Sequence, residues 1–144
     1  MIFPKLTHIS LLLGTLCLFS SCQNRNYEDR IPVTGMVTLN GTPLLNGFIA
    51  FIGDEGYAVA SGAIRNGQYE LSESASRHGI TSGIYSIQFE SWIETPGEEL
   101  PSGGFSKGVS AIPEKYQDFR KSDLKAEVTP SQRHFVYALS SDES

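Results

Sequence analysis

From Ile31 to Leu139 the hydrophobic positions come in short alternating runs, the period of β-strands with one buried face. In "VTGMVTL" Val33, Gly35, Val37 and Leu39 share one face, against Thr34, Met36 and Thr38 on the other. In "GIYSIQFESW" (83–92) Tyr85, Ile87, Phe89 and Ser91 alternate with Ile84, Ser86, Gln88 and Glu90, which predicts the first set in the core. "GFIAFI" (47–52) reads as a short buried-type strand, and "YAVASGAI" (57–64), "QYEL" (68–71), "KAEV" (125–128) and "HFVYAL" (134–139) bring the number to seven. Turn chemistry separates them: Asn40-Gly41, "GDEG" (53–56), "RNG" (65–67) and a Thr-Pro-Ser turn at 129–131. Residues 94–112, rich in Gly, Pro, Ser and Glu, predict a long loop, and "PEKYQDFRKS" predicts one short helical turn at most. The expected fold is therefore all-β, a seven-stranded antiparallel β-sandwich over 31–140 with a C-terminal tail at 141–144.

The first thirty residues follow a different pattern. Lys5 precedes an apolar run from Ile9 to Phe19, broken only by Ser10, Gly14 and Thr15, and small residues follow at Ser20 and Ser21. This is the layout of a secretory signal peptide, 1–21. Its apolar run as a helix rises about 16 Å against a bilayer core of about 30 Å, too short to span. The polar, aperiodic segment 22–30 then reads as a tether.

Cys22, where the hydrophobicity stops, has three readings: a lipid-modified N-terminus, an unpaired thiol after ordinary cleavage, or a disulfide with Cys17, which lies inside the segment to be removed. Phe19-Ser20-Ser21-Cys22 resembles a bacterial lipobox, with Phe where Leu is commoner. That resemblance implies diacylglycerol on the Cys22 thiol, cleavage just before it and acylation of its new amine. Several acyl chains hold a protein lastingly, at ~0.8 kcal/mol per buried CH₂. Gln23, in place of the Asp that tends to retain such lipoproteins at the inner membrane, implies the periplasmic side of the outer membrane.

Composition narrows the picture slightly. The chain has 144 residues and a formal charge of −5; from Cys22 onward it carries ten basic and sixteen acidic side chains. That balance argues against nucleic acid, which needs a basic face. A domain of this size buries roughly 65% of the surface its unfolded chain exposes, enough to stand without disulfides.

The order of motifs resembles a known family. "VTGMVTLNGTPLLNGFIAFI", "ASGAIRNGQYEL" and "TSGIYSIQF" are similar to successive hairpins of carboxypeptidase regulatory-like domains, which share the transthyretin-like β-sandwich. "IPEKYQDFRKSDLKAEVTPSQRHFVYAL" resembles the closing segment of small planctomycete-type envelope lipoproteins. Asn66 and Ser82 depart from the more usual Asp and Pro. The resemblance covers about residues 32–139 and implies no catalytic residue and no cofactor. The chain is expected to be a lipid-anchored, non-enzymatic structural or protein-interaction module, with a carbohydrate- or peptidoglycan-binding lipoprotein as the alternative. Its partners are then the membrane and envelope proteins or cell-wall glycan.

Few residues suggest chemistry of their own. "GFSKG" (104–108) matches GxSxG around Ser106, with Asp118 and His134 later in the chain, but the motif needs a strand-to-helix elbow in a larger α/β sheet. His78 and His134 have no metal-ligand spacing. Neither Asp54 and Glu55 nor Glu94, Glu98 and Glu99 supply the regular oxygen ligands of a calcium loop. Asn40-Gly41-Thr42 is a formal glycosylation sequon that reads better as hairpin chemistry. Trp92 offers a stacking surface for a sugar, or simple packing at a strand end.

Overall fold

The computed structural model describes residues 30–142; the signal peptide, Cys22 and nearly all of the tether lie outside the described residues. The described residues form twelve strands: β1 (Thr34–Leu39), β2 (Thr42–Pro43), β3 (Asn46–Ile52), β4 (Ala58–Arg65), β5 (Gln68–Glu70), β6 (Ser72–Ser74), β7 (Arg77–His78), β8 (Gly83–Glu90), β9 (Trp92–Glu94), β10 (Val109–Ser110), β11 (Lys125–Val128) and β12 (His134–Leu139). The main sheet follows the order β11-β8-β3-β4-β5-β1-β12, and these are the seven strands that the alternation predicts. One 3₁₀ turn, Glu114–Tyr116, is the helical turn expected in "PEKYQDFRKS".

The Asn-Gly pairs behave as their chemistry requires. Asn40 and Gly41 have φ of 51° and 82°, Asn66 and Gly67 have 50° and 79°. Both pairs make two-residue hairpin turns, joining β1 to β2 and β4 to β5. The Asn40 side chain is also engaged: its Nδ2 donates to Ser141 Oγ at 2.8 Å and its Oδ1 accepts the Ser141 N–H at 2.9 Å.

All neighbours in the main sheet are antiparallel except β1 and β12, which pair in parallel from Thr34↔His134 to Leu39↔Leu139. The sheet curls over so that β12 faces β3 and β8 across the core. Phe135 meets Phe51 at 6.1 Å between ring centroids, and Tyr137 meets Phe89 at 5.5 Å, both edge-on. Val33, Val37, Tyr85, Ile87, Phe89 and Ser91 are buried as the alternation predicts. "GFIAFI" is a correction: Ile49 and Phe51 are fully buried, but Phe48 is 58% exposed. The outer face of β3 is left uncovered at Phe48, so the strand alternates as far as Phe51, where a register shift leaves Ile52 buried as well.

Gly35 lies on the inner face, where a Cβ would collide with the Phe135 carbonyl and the Tyr69 ring. The missing side chain lets Tyr69 cross β1, so that its hydroxyl donates to Phe135 O at 3.3 Å. Tyr137 also puts its hydroxyl inside, where it finds no partner among the described residues. Burial pushes both phenols up from the ordinary tyrosine range, for Tyr69 with help from the nearby Tyr137.

These two tyrosines should respond oppositely to removal of their oxygen. Tyr69→Phe loses a buried hydrogen bond and is expected to cost about 1 kcal/mol, whereas Tyr137→Phe removes an unsatisfied hydroxyl and should gain about 1 kcal/mol; urea unfolding at neutral pH measures both. Because each folded-state pKa is raised, stability is complete below the unfolded value near 10. It should fall above that value by on the order of 1 kcal/mol per pH unit for each phenol. Urea midpoints between about pH 9 and pH 11 test this, and Tyr137→Phe should roughly halve the slope.

Candidate functional site

Two ends of the sandwich differ in character. At one end Ile31 bridges Ile80, β8 begins at Gly83 opposite Val128, and the turn through Thr129 and Gln132 leads to β12. Arg30 is fixed here by an ion pair with Glu73 and by a 3.4 Å hydrogen bond to Gly79 O. The eight residues of β8, about 26 Å of strand, lead to the opposite end. There β9 and β10 pair to form a flap.

The flap refines the expectation of a long loop over 94–112: most of that range is loop, but its two ends pair as β9 and β10. Its strands are two and three residues long, and its interior is organised by Ser106, which is 7% exposed. The Ser106 hydroxyl donates to Glu94 Oε2 at 3.3 Å and accepts the Gly108 N–H at 2.9 Å. Its backbone N–H donates to Glu98 O, and its carbonyl accepts the Gly97 N–H, both at 2.8 Å. Gly97, Gly103, Gly104 and Gly108 all have φ between 80° and 86°, the left-handed bends this path requires.

The candidate catalytic residues of the GxSxG reading are each engaged elsewhere. Ser106 bonds within the flap, and among the described residues no α-helix follows it to form an elbow. His134 opens β12, where its Nδ1 lies 3.2 Å from the Thr34 hydroxyl. Asp118 is gripped by Arg120, whose Nε and Nη2 donate at 2.9 and 2.8 Å; this holds its carboxyl down at about 2. Among the described residues these three make no hydrogen bond to one another. His78 Nδ1 lies 3.3 Å from the Ser72 hydroxyl, in the small β6–β7 hairpin. Asp54 and Glu55 are exposed in the turn after β3. No three His, Cys, Asp or Glu side chains among the described residues converge where a metal ion could sit.

Trp92 is half-buried. Its ring covers Gly108 alongside Pro96, leaving no room there for a Cβ. It also lines a groove of about 380 Å³ with Pro43, Leu45 and Ile93. Leu45 and Ile93 are 68% and 71% exposed. This groove was not legible in the sequence, because Leu45, between β2 and β3, and Ile93, in the short β9, are far apart in the chain and meet only through the sheet.

A second groove, of about 480 Å³, lies on the outer face of β4, β5, β1 and β12. Arg65, Gln68 and Glu70 border it, with Thr34 and His134 on the far side and Met36 and Ala63 in its floor. The alternation marks each of these as outward, but only strand order brings them together.

Comparison of the chain with protein-family profiles, curated proteins and solved structures finds no match. Among the described residues no helix is long and apolar enough to cross a membrane.

Ser106→Ala tests the flap's internal bonding. It should speed amide exchange at Gly108, whose N–H loses its acceptor, by about fivefold, the loss of roughly 1 kcal/mol of local hydrogen bonding. Exchange in β3 and β8 should be unchanged; acceleration there too would show that Ser106 supports the whole fold.

Proposed function

We propose that the protein is a lipid-anchored, non-enzymatic module of the bacterial cell envelope, held at the membrane through acyl chains on Cys22. The observation that carries this reading is the position of Cys22, directly after Ser20 and Ser21 where the apolar run ends. A signal peptide too short to span a membrane and Gln23 at the following position support an exported, outer-membrane location. The tether from Cys22 to Arg30 reaches about 30 Å at full extension. Arg30 joins the domain at the end away from the flap, so the flap groove lies opposite the end at which the tether enters. That arrangement suits a module that meets its partner on the side facing away from the lipid.

The anchor reading is tested by metabolic labelling with a fatty-acid analogue and by membrane fractionation. The full chain should take up label and sediment with membranes, and Cys22→Ala should lose both properties. Retention of label by Cys22→Ala would overturn the reading.

A further inference from the structure

We propose that the outer face of β4, β5, β1 and β12 binds small zwitterionic peptides, with the ligand carboxylate on Arg65 and the ligand ammonium on Glu70. Sheet register builds the site in two rows. Arg65 lies opposite Gln68, Gln68 opposite Met36, and Met36 opposite Val136. In the next row Glu70 lies opposite Thr34, and Thr34 opposite His134. The antiparallel register carried on from Arg65 and Gln68 places Ala63 beside Glu70. Its single methyl leaves a depression between the two charged side chains.

Arg65 and Glu70 stand diagonally across two strands, with about 7–8 Å between their backbones. That is close enough for their long side chains to meet, yet neither forms an ion pair within 4.0 Å among the described residues. Each therefore offers its charge to the groove between them. A ligand carrying only a carboxylate gains at Arg65 and is repelled by Glu70, and a simple cation meets the reverse. A short peptide with both termini free satisfies the pair together, its carboxylate taken by the planar guanidinium fork.

The remaining groups suit the peptide between those termini. The Gln68 amide can both donate to a ligand carbonyl and accept from its N–H. His134 has its Nδ1 against the Thr34 hydroxyl, which leaves Nε2 for a ligand. Met36, 37% exposed, gives small side chains an apolar floor. The groove volume of about 480 Å³ lies within the range of small-molecule sites. The site does not involve Cys22 or the tether, so it stands independently of the anchor.

The test is a titration of the ¹⁵N-labelled full chain, in detergent micelles, with alanylalanine, its N-acetyl form and its C-terminal amide. Free alanylalanine should shift the amides of Arg65, Gln68, Glu70 and Thr34, saturating with a Kd of roughly 5 mM or below. Blocking either terminus should weaken binding about tenfold, the scale of one charge-assisted contact. Arg65→Gln should remove the preference for the free acid over the amide, and Glu70→Gln the preference for the free amine over the acetyl form. Both positions are exposed, and unchanged core amide shifts would verify that each variant folds. No shift up to about 20 mM, equal binding of the blocked forms, or shifts confined to the flap groove would overturn the proposal.

Discussion

The two outermost strands of the sheet, β11 and β12, are joined by only five residues, 129–133. In a flat seven-stranded sheet these edges would be about 29 Å apart, six spacings of roughly 4.8 Å. The link from Val128 to His134 reaches at most about 21 Å even when fully extended, and a turn closed between Thr129 and Gln132 shortens it further. The sheet has to fold over itself, and its apolar faces enclose one core as a result. The same link sets the one parallel pairing. β12 must return in the direction opposite to β11, and the alternation of directions through β8, β3, β4, β5 and β1 then makes it parallel to β1.

Folding over brings side chains of distant strands into contact, and the inner face is adjusted to admit them. Gly35 gives up its side chain so that the Tyr69 ring can reach Phe135, while Phe51 and Phe89 receive Phe135 and Tyr137 edge-on. The outer face is under no such demand. Phe48, Ile84 and Val136 stay more than half exposed there, and among the described residues the outward Arg65 and Glu70 form no ion pair. The division between a tight interior and a permissive exterior follows from the curl.

Much of this organisation is legible in the chain. Alternation and Asn-Gly turns identify the seven strands of the main path, with β11 and β12 at the expected bounds. The five remaining strands are two or three residues long, too few to display a period. The flap escaped for a further reason: its order depends on four left-handed glycines and on bonds converging on Ser106, not on alternation. The outer groove is invisible for yet another. Each of its residues reads as an ordinary solvent-facing position, and only the neighbour relations of β4, β5, β1 and β12 gather them. Of the sites inferred from sequence, Cys22 lies outside the described residues, and Ser106 is an internal strut of the flap.

The register of β1 with β12 pairs each residue with the one a hundred positions later, from Thr34 with His134 to Leu39 with Leu139. For a chain that emerges from a ribosome or a secretion pore N-terminus first, this sets an order of events. β1 can find β5 early, across a separation of some thirty residues, but its other edge stays unmatched until residues 134–139 have appeared. Closing so long a loop costs little in equilibrium terms, since loop entropy grows only with the logarithm of length. It costs time, because contacts this remote in sequence are slow to form. Until then the growing sheet carries an open edge in β1 and an uncovered apolar face, the surface on which newly made β-proteins misassociate.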